Sequence, residues 1–166
     1  MHDADRLFRD YHGPLVRYLT RRLGDRDWAE EVAQETFLRA LRQRELSNER
    51  AWLFTVATNL VRDGARTESR RRRQLELLRA EEAGRMVEPP DTAMVRAEER
   101  AAARRALETL PERDREALLM KEEGLNYEEI ATALGIAVGS VGTTLSRARR
   151  RLVEGMEGVE SRSVGE

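Results

Sequence analysis

Apolar residues recur along this chain at helical spacing almost from end to end. Leu7, Tyr11, Leu15 and Leu19 stand four apart, with Phe8 and Tyr18 beside them. That spacing predicts an amphipathic helix over residues 5–23. Gly24 follows as a stop. Asp27, with Glu30 three residues later, has the form of a capping box and opens a second helix. Its apolar face is Trp28, Val32, Thr36, Phe37, Ala40 and Leu41. A polar stretch, 43–49, leads to a third helix that carries Trp52, Leu53, Val56, Ala57, Leu60 and Val61 and runs into the arginines at 70–73. No stretch alternates with period 2 over a useful length, so the chain is expected to be all-α.

Residues 80–92 interrupt the pattern with Gly84, Pro89-Pro90 and several acids. The second proline forbids a continuous helix, and the composition predicts a flexible acidic linker between two small helical domains. Asp91 or Thr92 can cap a new helix reaching about residue 110. Pro111 suits a first helical turn and opens a helix through 123, which Gly124 ends. Next, Asn126 and Glu129 form a capping box, and Ile130, Ala131 and Leu134 give a short helix its buried face. Gly135 permits the positive φ of a tight turn, and Ile136 packs into that turn. Val141, Leu145, Ala148 and Leu152 mark one stripe of a following helix, so the segment reads as a helix-turn-helix. Ser140, Thr143, Thr144, Arg147 and Arg150 are left facing mostly outward, small hydroxyls first and arginines after, which suits a DNA major groove.

Composition removes whole classes of function. The 166 residues include no cysteine, which excludes disulfides, thiolate metal sites and a cysteine nucleophile. His2 and His12 are too few for a histidine metal cluster. No acid–base pair, nucleophile constellation or glycine-rich phosphate loop appears, so neither an enzyme nor a cofactor is expected. No apolar run is long enough to span a membrane, and the charged start, MHDADRLFRD, lacks the apolar centre of a signal peptide. Membrane insertion is therefore not expected and a cytoplasmic location is.

Charge alters the picture once it is followed along the chain. Thirty basic residues against 31 acidic ones give a net charge of −1, which argues against nucleic acid. Yet residues 50–73 hold seven arginines against Asp63 and Glu68, a net +5, and residues 138–152 hold four arginines and no acid, +4. Residues 76–100 and 153–166 each sum to −3. Basic and acidic blocks that alternate in this way point to different partners for different segments. Lys121 is the single lysine, which a GC-rich genome explains.

Four blocks occur in a telling order: DWAEEVAQETFLRAL (27–41), AWLFTVATNLVRDGAR (51–66), ALETLPERDREALLM (106–120) and the helix-turn-helix. Together they resemble a bacterial RNA polymerase sigma factor of the extracytoplasmic-function (ECF) group, over residues 7–152. The resemblance implies a sigma2-like helical bundle over 1–79, the linker at 80–92, a sigma4-like helix-turn-helix domain over 93–154 and a short tail at 155–166. It implies a transcription initiation factor that binds core RNA polymerase, through the clamp helices of β′ and the flap of β. It further implies promoter DNA as partner, both duplex and melted single strand, with an anti-sigma factor as a commonly associated inhibitor.

The resemblance also distributes roles. Glu30, Glu31, Gln34, Glu35 and Leu38 match the clamp-binding segment, Glu31 standing where aspartate is more usual. The last four share one helix face by spacing. Residues 51–66 match the −10 reader, where Asn59, Arg62, Asp63 and Arg66 form a continuous polar stripe. Trp52, Leu53, Val56 and Leu60 there read as core. Ser47 and Asn48 fall in the loop that captures a flipped base in the family, and Asn48 is equally well a helix cap. Arg70 and its neighbours would bind phosphates. Ser140, Thr143, Thr144, Arg147 and Arg150 would read the −35 element.

The recognition helix departs from the family's common Gly-Thr-Val-Lys-Ser-Arg, having Gly139-Ser140-Val141-Gly142-Thr143-Thr144, and Ala137 stands where a serine cap is frequent. This implies an altered or weaker −35 preference, not loss of the domain. The acidic linker is either an RNA mimic in the polymerase channel or a tether. Two other readings compete. A stand-alone helix-turn-helix regulator would not need the 27–41 block and would usually need dimer symmetry. A helical interaction protein, such as an inhibitor of sigma factors, does not account for the arginines of 51–73.

Overall fold

The computed structural model describes residues 3–64 and 91–164, and the side chains of these except at 91–93 and 159–164. Every regular element among them is a helix. The N-terminal unit contains α1 (Ala4–Leu23), α2 (Arg26–Leu41) and α3 (residues 49–64). The C-terminal unit contains α4 (Asp91–Glu108), α5 (Glu112–Glu122), α6 (Tyr127–Leu134) and α7 (Val138–Val164). Residues 80–90 of the predicted linker, with Arg66 and Arg70, lie outside the described residues.

Local chemistry sets the boundaries. Asp3 caps α1 by accepting from the backbone N–H groups of Asp5 and Arg6, and Gly24 closes the helix at φ +71°. The start of α2 differs from the sequence reading. Asp25, not Asp27, is the cap, and its carboxylate accepts from Trp28 N at 3.1 Å. Because Asp25 is extended and the helix begins at Arg26, Asp27 already lies in the first turn, where its charge meets the helix dipole. Glu30 instead pairs with Arg26 at 3.2 Å. Pro111 is likewise the cap residue of α5 rather than its first helical residue, and it offers no side-chain acceptor. Glu112 and Asp114 supply negative charge to that first turn.

The tail departs from expectation as well. Residues 155–164 continue α7. Gly155 faces α4, where a Cβ would meet Ala106 Cβ at 3.4 Å and Ala106 Cα at 3.6 Å, ordinary van der Waals contact.

Leu15, Tyr18, Leu19, Trp28, Ala33, Phe54 and Ala57 fill the N-terminal core, and Met120, Leu125, Ile130, Val141, Leu145 and Ala148 the C-terminal one. These belong to one contiguous apolar cluster, because α5 packs on α1. The two units are therefore docked. Trp52, Val56 and Leu60 are half-buried while Leu53 is fully buried, in line with their core assignment.

Candidate polymerase and nucleic-acid surfaces

The C-terminal helix pair forms as its sequence predicts. Asn126 Oδ1 accepts from Glu129 N at 2.8 Å, and Glu129 Oε1 accepts from Asn126 N at 3.0 Å, closing the capping box. Gly135 takes φ +66°, a conformation that strains any side chain. It turns the chain so that Val141, Leu145 and Ala148 bury one side of α7. Ser140, Thr143 and Arg150 are exposed.

Two residues of the predicted −35 set have other surroundings. Thr144 is buried, and its hydroxyl donates to Ser140 O at 2.8 Å, so it faces the core rather than outward. At position 144 the chain is three residues past Val141, within the width of the apolar stripe. Arg147 is half-buried and forks onto Asp114 of α5, Nε to Oδ2 at 3.1 Å and Nη2 to Oδ1 at 2.7 Å. Arg151 adds a third bond to Asp114 Oδ2 at 3.0 Å. Asp114 is almost wholly buried, and the Arg147 guanidinium holds its carboxyl below the usual carboxylate range. Part of the basic charge counted in 138–152 thus holds the helix-turn-helix to α5.

The stripe on α3 is divided in the same way. Asn59 and Asp63 are exposed, but Arg62 reaches Glu116 of α5 at 2.8 Å. Ser47 and Asn48 are exposed in the loop before α3. Asn48 Oδ1 accepts from Ala51 N at 3.0 Å, so the capping role is real. The amide nitrogen and the second lone pair of the oxygen remain for a base contact.

On α2, Glu30, Glu31, Gln34 and Leu38 are exposed and Glu35 is half-exposed. Glu35 is paired with Arg39 at 3.1 Å, an exposed i, i+4 contact worth only a few tenths of a kcal/mol and easily exchanged. Beside this face runs a groove of about 470 Å³ between α1 and α2, lined by Phe8, His12, Glu30, Gln34, Phe37, Leu38 and Leu41 among others. Phe8, Leu38 and Leu41 are 48, 46 and 56% exposed, high for large apolar side chains. The sequence reading placed Phe8 and Leu41 on buried faces. The structure instead stacks Phe8 on His12, centroids 4.4 Å apart, at the groove's edge. The signal for this lay in apolar residues that widen each helix's buried stripe beyond what one core can cover.

Two family models match the chain, sigma-70 region 2 over residues 7–71 and sigma-70 region 4 over residues 100–152. The ECF RNA polymerase sigma factor EcfG of Rhodopseudomonas palustris is 39% identical over 135 residues, covering 78% of this chain and 71% of that protein. RNA polymerase sigma-H factor of Pseudomonas aeruginosa is 31% identical over 167 residues, covering 92% and 86%. The fold is similar to that of the sigma factor RpoE from Bartonella quintana, solved with the anti-sigma factor NepR, at a TM-score of 0.65 and 24% identity over 92% of this chain and 96% of that one.

The chain therefore belongs to the sigma-70 family of transcription initiation factors. Within it, the chain is a sigma factor of the ECF group, which directs RNA polymerase to promoters. Among the described residues no single helix is long and apolar enough to cross a membrane.

Proposed function

We propose that this sigma factor binds core polymerase through the exposed face of α2, reads the −10 element with α3 and the loop before it, and reads the −35 element with the start of α7. The observation that carries the reading is the run of exposed Glu31, Gln34 and Leu38 beside an apolar groove on the unit that also bears the polar stripe of α3. An acidic rim around exposed Leu and Phe side chains suits a basic, partly apolar helical partner such as the β′ clamp helices. Ser140 and Thr143 supply small hydroxyls for base edges, and Arg150 supplies a phosphate contact. Asn59, Asp63, Ser47 and Asn48 offer polar atoms to unstacked bases, which would assist melting. Arg66 and Arg70 belong to the same reading by sequence. Action on polymerase implies a cytoplasmic location, and the likeness to a sigma factor solved with an anti-sigma factor supports a similar inhibitor here.

The test combines the protein with bacterial core polymerase and measures complex formation and promoter-specific run-off transcription. A complex with specific transcripts is the expected result, and no complex at low salt would overturn the reading. Charge reversal of Glu35 to Lys should weaken the complex about tenfold while leaving the circular dichroism spectrum unchanged. Unchanged affinity would remove Glu35 from the surface.

A further inference from the structure

Beneath the loop that carries Ser47 and Asn48 lies a small apolar cluster set apart from the main core. Leu7, Ala40 and Leu53 are its buried members, and Tyr11, Phe37, Leu46 and Trp52 pack against them. Of residues 42–48 only Leu46 is half-buried, and the rest are exposed. The loop is therefore placed by its ends and by one side chain, not by packing along its length.

At its far end, Asn48 caps α3, and the two residues that follow reach back to α1. Glu49 pairs with Arg6, whose other terminal nitrogen meets Asp10 at 3.1 Å. Arg50 lies over the ring of Tyr11, its guanidinium carbon 5.9 Å from the centroid. Burial, the charge of Glu49 and a hydrogen bond to it hold the Tyr11 hydroxyl above its ordinary pKa. Glu49 thus engages two side chains of α1. All of these groups belong to the N-terminal unit, unlike Arg22 and Arg62, which cross to Glu116 of α5 at 3.2 and 2.8 Å.

We propose that Glu49 is a positioning residue for the −10 contact: by gripping Arg6 and Tyr11 of α1 it fixes the start of α3, and with it the place of Ser47 and Asn48, which meet an unstacked base. The proposal rests on the reading that this loop faces melted DNA. An acid beside a nucleic-acid surface repels phosphates unless its charge is committed elsewhere, and here Arg6 commits it. A loop that takes up a base binds in proportion to the time it spends correctly placed. Fixing it beforehand reduces the entropy lost on binding. Arg6 is 41% exposed, so its pair with Glu49 adds little to global stability, and its loss can be read on DNA binding with the fold intact.

The sign of the charge makes the test sharp. Holoenzyme is assembled from core polymerase and each variant. Its affinity is measured for a fluorescein-labelled single-stranded oligonucleotide with the non-template −10 sequence of a promoter found by run-off transcription. If Glu49 acted only through its charge, Glu49→Ala would tighten binding. Positioning predicts the opposite, about tenfold weaker binding for a loop correctly placed roughly one-tenth of the time. Affinity for core and the melting temperature of the free protein should not change. Arg6→Ala should also weaken oligonucleotide binding, and the double variant should lose no more than the worse single one, because both remove the same contact.

Unchanged or tighter oligonucleotide binding by Glu49→Ala overturns the proposal, as does a double variant whose losses multiply. Ser47→Ala with Asn48→Ser tests the underlying reading, since serine keeps the cap and removes the amide. If that pair weakens binding and Glu49→Ala does not, the loop reads the −10 element and Glu49 does not place it. If neither weakens binding, the loop reading falls and the proposal with it. Should Glu49→Ala lower the helical circular dichroism, Tyr11→Phe takes its place, removing one hydroxyl and keeping the ring. Weaker oligonucleotide binding then supports the grip on α1, and unchanged binding overturns it.

Discussion

Arg62 and Arg147 are the same residue type on helices with the same expected task, and each meets a buried carboxylate of α5. What differs is the side of the molecule from which they come. Arg147 lies in the same unit as Asp114 and secures the helix-turn-helix to its own support. Arg62 crosses from the other unit to Glu116. Positions 114 and 116 are two residues apart, about 200° around the helix, so α5 shows one acid to each side. The pair within a unit is permanent as long as that domain is folded. The pair between units lasts only while they are docked. A basic residue in a DNA-binding protein can thus be structural in one place and conditionally available in another.

The comparison breaks most visibly at Glu116. Replacing it with Ala leaves Arg22 and Arg62 facing each other across a buried space, a change costing about 3 kcal/mol in comparable networks. The cost is limited by the free energy of docking, since separated units rehydrate both arginines. Urea unfolding should therefore show a lower midpoint and a broader transition, with helix content nearly retained in water. A wild-type midpoint would show that the inter-unit network contributes nothing to stability.

Asp114→Asn tests the pair within the unit and has no such escape. Arg147 and Arg151 are half-exposed and recover water, so a loss of roughly 1–2 kcal/mol is expected. The effect carries a pH signature. The folded-state pKa of Asp114 is depressed, first by hydrogen bonding to Arg147, so its contribution is complete above the ordinary carboxylate pKa of about 3.9 and is lost as pH falls through the lowered value. Thermal melts of the two proteins should differ at neutral pH and converge below about pH 4. A gap that persists into strong acid would show that packing, not charge, is what the substitution removed.

These pairs also mark the limit of what the sequence discloses. Helix positions, the Asn126 box and the Gly135 turn follow from spacing and local hydrogen bonding, which depend on residues three or four apart. The family blocks assigned surfaces on the same footing. Thr144 and Leu41 were misplaced because the width of a buried stripe depends on what packs against it, and a single helix does not carry that. Arg62 and Arg147 are assigned to DNA by charge, helical spacing and the family blocks. Their partners, Glu116 and Asp114, lie 54 and 33 residues away, and nothing local announces them. The segment charges of +5 and +4 were a correct count of basic residues and an overcount of those that are uncommitted.

The smallest effect on stability is expected at Arg150, and it sharpens the comparison from the other end. Arg150 is exposed on α7, three residues beyond Arg147. Arg150→Ala should leave the melting temperature unchanged. In the polymerase-bound protein it should lower the salt dependence of binding to upstream duplex by about one phosphate contact. Arg147→Ala should do the reverse, lowering stability through Asp114 and changing the salt slope little. The measurement is duplex affinity of the holoenzyme over a salt series, with melting curves of the free proteins alongside. If both variants lose the same salt slope, Arg147 leaves Asp114 on binding DNA. The difference between the two arginines of α7 would then be one of state rather than position, as it is for Arg62.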